Sequence, residues 1–370
     1  MATISLCMIV KNEEKILARC LDSIQDLMDE IIIVDTGSTD RTKEIAAMYT
    51  NKIYDFAWIG DFAAARNFSF SKAGCEYIYS ADADEVLDKE NHEKFKILKE
   101  TLLPEVEIVQ MYYGNQLANG TVYNFDRELR PKLFKRLRTF QWIEPVHETV
   151  RLLPVVFDSD IEITHLPENS HAGRDLQIFE KMAGQGPALS SRLINMYARE
   201  LLISGKTEDL KKAEEYFTRI ADDAETAPEQ MKEAVCVVVR AARVRGDYLK
   251  MFRYAMKDVA SDEGSVSEVC CELGEYYLEQ KDYQEASIWY YNAAYETTSI
   301  LNIHSGGDLP LLRLKQCYDA LGMMEQAEEY ERAATEWQKQ REASGVNNNC
   351  YIDCVKKKNN TCRQSGLMLP

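Results

Sequence analysis

Short apolar runs alternate with amphipathic stretches from Thr3 to about His165. Ile4 to Val10, ISLCMIV, is continuous enough for a buried strand, and Glu30 to Asp35, EIIIVD, reads as a second. Between them, Glu13 to Asp29 sets Ile16, Leu17, Cys20, Leu21, Ile24 and Met28 on one helical face. Strand, helix, strand predicts a parallel unit. The alternation continues through a helix opened by Ser38, Thr39 and Asp40, a short strand KIYDF, a helix from about Phe62 to Lys72 and the strand EYIYSA. Ligands of open parallel sheets bind beyond the carboxyl ends of the strands, which is where Asp35 and Asp82 to Glu85 fall.

After His165 the strand signals fade and helical hairpins run to about residue 343. In ELGEYYLEQKDYQEASIWYYNAA, Gly274, Ala286 and Ala293 alternate with the aromatics Tyr277 and Tyr290. Small residues let paired helices approach while aromatics fill the gaps, as in the tetratricopeptide repeat. Looser copies centre on Ala213, Met251 and Ala327, at successive spacings of 38, 35 and 41 through Ala286. Such an array is either a structural stack or a concave surface for a peptide or partner subunit.

The charge balance narrows the partners. With 61 acidic against 44 basic residues and a net charge of -17, the chain is repelled by nucleic acid and anionic membranes. No apolar run is long enough to span a bilayer, and MATISLCMIVKNEE lacks the marks of a signal peptide, so a cytoplasmic location is expected. Cys7, Cys20, Cys75, Cys236, Cys270, Cys271 and Cys317 occupy apolar or helical contexts without metal-ligand spacing and read as reduced thiols.

Four stretches carry candidate chemistry. YIYSADADE runs from an apolar strand into Asp82, Asp84 and Glu85. These carboxylates either cap the next helix from Asp88 or hold a hard divalent cation, which takes few protein carboxylates and keeps positions for phosphate oxygens. IIIVDTGSTDRT ends a strand on Asp35, an acceptor suited to a nucleotide base or ribose. DFAAARNFS sets Arg66 in an Ala-rich helix start, either solvated or paired with a diphosphate through its guanidinium fork. FQWIEPVHETV brings Glu144, His147 and Glu148 together, with His147 one of only five histidines. Upstream, RPKLFKRLR reads as a strand with a basic face. Lys132, Arg136 and Arg138 there either keep an edge soluble or contact a diphosphate or acceptor.

MIVKNEEKILARCLDSI, IIIVDTGSTDRT, DFAAARN and SADADE, in that order, resemble the family 2 glycosyltransferases of the GT-A fold. With the repeat array, the chain is most similar to bacterial members that carry tetratricopeptide repeats and glycosylate cysteine or serine of small bacteriocin peptides. The resemblance implies a Rossmann-like, mostly parallel α/β domain over residues 1–170, an all-α repeat domain over 171–343, and a tail over 344–370. It implies a UDP-sugar donor, Mn²⁺ or Mg²⁺, and a peptide or protein acceptor, with homodimerisation through the repeats compatible.

By the same likeness Val10, Asn12 and Glu13 border the nucleotide, Asp35 meets the uracil and Arg66 approaches the diphosphate. Asp82 and Ala83 face the ribose, Asp82 and Asp84 the metal, and His147 completes the metal shell. Many relatives have a second acid where Thr36 stands. Glu148 and Glu144 are the candidate bases. A scaffold that keeps the nucleotide-sugar fold without turnover, or an enzyme acting on a glycan, are the alternatives. The tail, rich in Asn and Lys, holds Cys350, Cys354 and Cys362, and with Thr361 and Ser365 these could serve as acceptor sites of self-glycosylation.

Overall fold

The structure, a computed structural model, describes residues 1–114, 128–150, 155–167, 172–185, 189–261 and 264–343. The tail cysteines, Thr361 and Ser365 lie outside them. Two units divide after His171.

In the first unit β1 (Ile4–Val10) and β2 (Glu30–Asp35) have the bounds the apolar runs predict. They pair in parallel, with Val10 opposite Asp35. The helix between them, α1 (Leu17–Ile24), is shorter than the apolar stripe suggests. Residues 12–14 are occupied elsewhere. The Asn12 N–H donates to Ser38 Oγ at 2.9 Å, that of Glu13 to Thr42 Oγ1 at 2.7 Å and that of Glu14 to Asp40 Oδ2 at 3.2 Å, while Thr39 N–H donates to Asn12 Oδ1 at 2.8 Å. The loops after β1 and β2 are therefore stitched side chain to backbone, and Asn12 takes the left-handed conformation (φ 57°) that asparagine tolerates better than most residues.

Next come α2 (Thr42–Ala46), β3 (Ile53–Asp55), α3 (Phe62–Phe70), β4 (Tyr77–Ala81), the two-residue β5 (Glu85–Val86) and α4 (Lys89–Thr101). Asp61 and Asp88 cap α3 and α4, accepting from Ala64 N–H and Asn91 N–H at 2.9 Å each. Then follow β6 (Ile108–Gly114), β7 (Glu128–Lys135), β8 (Trp142–Ile143), β9 (Thr149–Val150) and β10 (Val156–His165). The main sheet has the order β3-β2-β1-β4-β7-β6-β10-β5, and β8 and β9 form a separate hairpin. β1, β2, β3 and β4 are mutually parallel neighbours, whereas β7 runs antiparallel between β4 and β6.

Alternation along β1 builds both faces of this sheet. Ile4, Leu6, Met8 and Val10 join Leu17, Leu21, Tyr79 and Phe95 in one core, while Cys7 packs with Ile32, Val34, Ile78 and Phe68 in the other. The result is a Rossmann-like, mostly parallel sheet, whose β1, β2 and β4 all end on the same edge. Among the described residues no helix is long and apolar enough to cross a membrane. The seven cysteines from Cys7 to Cys317 named above are free thiols, all buried except the half-buried Cys75.

The second unit is helical: α5 (Ala172–Gln185), α6 (Ser191–Ser204), α7 (Thr207–Asp222), α8 (Pro228–Arg245), α9 (Tyr248–Val259), α10 (Ser267–Glu279), α11 (Tyr283–Tyr291), α12 (Asp308–Ala320) and α13 (Met324–Ala343). The repeat centres Ala213, Met251, Ala286 and Ala327 fall on α7, α9, α11 and α13, every second helix, and all are buried. The turn into three of these helices is repeated as well. Gly246 (φ 78°), Lys281 (φ 62°) and Gly322 (φ 77°) each stand left-handed two residues before the helix starts. After the first two, Asp247 and Asp282 cap the helix. These are tetratricopeptide-like hairpins.

Gly274 permits a close approach of α10 and α11, since a Cβ there would lie 2.7 Å from the ring of Tyr290. Gly274→Ala should therefore destabilise by about 1–3 kcal/mol through overpacking, despite alanine's better helix propensity. A urea midpoint unchanged or raised would show that the helices can separate freely.

Buried Glu200 on α6 accepts from Ser204 Oγ at 2.9 Å. Burial pushes its carboxyl up to about 7, with Asp175 adding to the rise and the Ser204 hydrogen bond opposing it. A raised folded value means a stability contribution that is full below the ordinary carboxylate range and lost as pH climbs through about 7. Glu200→Gln should remove that loss, gaining roughly 2–3 kcal/mol on wild type at pH 8 and little at pH 4, read from urea midpoints across pH.

Candidate active site

The turn after β4 carries three acids, and each meets a basic partner from a different element. Asp82 accepts from Arg66 of α3, with Arg66 Nη2 2.9 and 3.1 Å from its two oxygens. Asp84 lies 3.1 Å from Nε2 of His165, the last residue of β10. Glu85 accepts from Lys132 Nζ of β7 at 2.7 Å, and both residues are buried. The turn is also fixed through its backbone: Leu166 N–H donates to Asp84 O at 2.8 Å, and Cys20 Sγ lies 3.4 Å from Asp82 O. Ala83 is buried between the two aspartates.

Arg66 is the hub. Its Nε donates to Glu148 Oε1 at 2.5 Å, its Nη1 to Ser80 Oγ at 3.2 Å, and the guanidinium lies 5.0 Å from the centroid of the Trp142 ring. Burial disfavours the cation, but Asp82 and Glu148 outweigh burial and hold its pKa above the ordinary value. For Asp82, burial is likewise the largest influence and acts upward, yet Arg66 and then Lys132 bring the carboxyl down to about 2. Asp82 still keeps 37% of its side chain exposed, so it borders solvent. Glu85 goes the other way: burial pushes it up to about 7 against the pull of Lys132, and the neighbouring Asp82 adds to the rise. Among the described residues four carboxylates, Asp82, Asp84, Glu85 and Glu148, gather here around Arg66 and Lys132, and Arg130 also lowers the Asp82 carboxyl.

At the end of β2, Asp35 is 1% exposed. Its Oδ1 accepts from the N–H groups of Gly37 and Ser38, both at 2.9 Å, and Lys43 Nζ is 3.9 Å away. The other oxygen, Oδ2, is buried with no hydrogen-bond partner. Gly37 (φ 105°) makes the turn that brings both N–H groups round. Thr36 is buried and bonds Val10 O through its N–H (2.9 Å) and hydroxyl (3.2 Å). Val10 ends β1 beside Asp35, and Asn12 and Glu13 belong to the stitched loop rather than to the acid cluster.

Glu144, His147 and Glu148 lie in the β8–β9 hairpin, where Glu144 (φ 70°) and His147 (φ 48°) are both left-handed. Of the three, Glu148 is joined to the acidic turn through Arg66. The imidazole hydrogen-bonded to Asp84 belongs to His165, a residue that served the sequence reading only as the end of the strand-rich half. Its one signal was position, a histidine closing a strand. Which strand β10 lies beside, and hence the pairing of His165 with Glu85, is not legible locally. The basic strand is not the soluble edge expected of it, since β7 lies inside the sheet between β4 and β6: buried Lys132 pairs with Glu85, Arg136 Nε donates to Cys75 O at 2.6 Å, and Arg138 pairs with Glu107 at 2.6 Å.

Among the described residues no three His, Cys, Asp or Glu side chains are grouped so as to hold a metal ion by themselves. Asp82 and Asp84 are oxygen donors of the kind a hard divalent cation takes, and such an ion needs only one or two protein carboxylates when phosphate oxygens supply the rest.

The parallel sheet with its acidic carboxyl edge defines an α/β domain. Residues 5–152 match the model of glycosyl transferase family 2. The chain is 28% identical over 239 residues to the SPbeta prophage-derived glycosyltransferase SunS of Bacillus subtilis, covering 60% of this chain and 55% of that one. It is 48% identical over 87 residues to a TPR repeat-containing protein of Synechococcus elongatus, 24% of this chain and 22% of the other. An uncharacterized glycosyltransferase of Rickettsia typhi is 31% identical over 122 residues, 31% of this chain and 41% of its own. The chain thus spans no more than 55% of the length of these relatives. Among solved structures, glucosyl-3-phosphoglycerate synthase from Mycobacterium tuberculosis in complex with Mn²⁺ and UDP-glucose aligns at a TM-score of 0.37 and 16% identity, over 50% of this chain and 80% of that one.

Removing Lys132 strands Glu85 as a buried charge without its cation. Lys132→Met should cost about 3–5 kcal/mol at pH 8, with Lys132→Arg recovering part of it. Equal urea midpoints for Lys132→Met and wild type would mean that Glu85 finds solvent or another partner.

Proposed function

We propose that this chain is a metal-dependent glycosyltransferase that moves a sugar from a UDP-sugar to a cysteine or serine side chain of a peptide or protein, with inversion, in the cytoplasm. One observation carries the reading: Asp82, Asp84, Glu85 and Glu148 gather at the turn after β4, on the carboxyl edge of a parallel sheet, within the stretch that matches the family 2 model. Carboxylates so gathered suit a divalent cation bridging to a diphosphate.

Asp82 and Asp84, with His165 or His147, would hold Mn²⁺ or Mg²⁺. The ion's chemistry is to offset charge on the departing UDP, worth several kcal/mol without a proton transfer to the leaving group. The unpaired Oδ2 of Asp35 is an acceptor suited to the N3–H of uracil, and Val10, Asn12, Glu13 and Ala83 border the nucleotide. The acceptor sulfur or oxygen attacks the anomeric carbon as the bond to the UDP oxygen breaks, and its proton passes to Glu148 or Glu144. Glu148 must first yield its Arg66 contact, and diphosphate competing for Arg66 would allow that. A thiol acceptor needs less help, since its thiolate forms near neutral pH. The helical hairpins would take the acceptor peptide or a second copy of the chain.

UDP release by the purified chain with Mn²⁺, across a panel of UDP-sugars and without acceptor, tests the donor half. Slow metal-dependent release with one sugar, reduced about a hundredfold or more in Asp84→Ala, is the expected result. Full release by Asp84→Ala would overturn the site assignment, and no release with any donor would overturn the UDP-sugar reading.

A further inference from the structure

The hairpin that carries Glu144, His147 and Glu148 is short. β8 and β9 have two residues each, paired through Trp142 with Val150 and Ile143 with Thr149. A two-stranded hairpin of this size is not stable alone in water. It also contains two left-handed non-glycine residues, Glu144 and His147, a conformation that persists only where the surroundings over-determine it. Something must hold it: the Phe134 ring of β7, 5.6 Å from that of Trp142, supports it from the sheet, and α3 holds it along its length.

Four contacts run along that helix. At its first turn, Phe62 N–H, which has no partner within the helix, donates to Pro145 O at 2.9 Å. One turn on, Arg66 reaches Glu148. One turn further, the Phe70 ring meets that of Trp142 at 5.9 Å between centroids. Beside this line, Asn67 makes a reciprocal pair with the main chain of Trp142: its Nδ2 donates to Trp142 O at 2.9 Å, and its Oδ1 accepts from Trp142 N–H at 2.9 Å. A side-chain carboxamide thus stands in for a neighbouring strand. No other side chain of this size can do so, because an aspartate would set a charge against Trp142 O and a leucine would leave both backbone groups unpaired.

We infer that Asn67 is a positioning residue, which docks the β8–β9 hairpin on α3 and so fixes Glu148 and His147 relative to the Asp82–Asp84 turn. Asn67 acts through Trp142 and touches no reacting atom. The inference rests on the proposed sugar transfer for its catalytic consequence and on the hydrogen-bond geometry alone for the docking.

Asn67→Ala and Asn67→Asp test it against the full wild-type chain through three readouts: hydrogen exchange at the Trp142 amide, calorimetric UDP binding with Mn²⁺, and kcat and KM for UDP-sugar turnover. The expected result is exchange at Trp142 faster by about tenfold or more in Asn67→Ala and by less in Asn67→Asp, which keeps an acceptor for the Trp142 N–H, with UDP affinity within about twofold of wild type and kcat lower by roughly ten- to a hundredfold at similar KM in both. Unchanged exchange at Trp142 overturns the docking. Faster exchange with unchanged kcat overturns the positioning, and a parallel loss of UDP binding, kcat and thermal stability reduces Asn67 to a structural residue. A wild-type chain that binds no UDP sinks the proposed function instead, and exchange at Trp142 still decides the docking.

Discussion

A guanidinium buried among carboxylates is the constraint around which the first unit is arranged. Arg66 cannot be neutralised, so once α3 packs against the sheet, its charge must be met inside the protein. Asp82 and Glu148 meet it from β4 and from the β8–β9 hairpin, Ser80 adds a hydroxyl, and Trp142 covers the planar face. Losing any one partner leaves a buried charge short of compensation. The interaction therefore holds three separate elements in register at the place where the candidate chemistry lies.

The same economy extends across the acidic turn. Asp84 with His165 and Glu85 with Lys132 repeat the pattern of one acid and one basic group drawn from distant strands. Glu85 nevertheless keeps a raised carboxyl, which burial drives and the neighbouring Asp82 reinforces. A site that is rigid and open at Asp82 suits the cation and anionic donor of the proposed reaction, the form electrostatic catalysis takes. Rigidity here comes from charge pairing and from the stitched loops after β1 and β2.

The helical unit follows a different logic. Its hairpins repeat one turn, a left-handed residue followed by a helix start, and one packing device, small residues set against aromatic rings. Gly274 under Tyr290 shows why the small residue is needed: the helices are too close for a methyl group. Lys281 holds the left-handed position that glycine holds at 246 and 322, so the turn is kept by the fold even where the residue is less suited to it.

What the sequence determined by itself was everything carried by local period and local chemistry. The apolar runs of β1 and β2, the repeat centres on α7, α9, α11 and α13, and the acids that close β2 and follow β4 could all be read in place, because hydrophobic burial depends on near neighbours. Arg66 stood out from its Ala-rich surroundings for the same reason. The partners were decided only by tertiary structure. That Asp84 meets His165, Glu85 meets Lys132 and Asn67 meets the Trp142 backbone depends on the order and register of β4, β7 and β10 and on the seating of the hairpin. These contacts join residues 47 to 81 positions apart, and nothing local to either end encodes the distance between them.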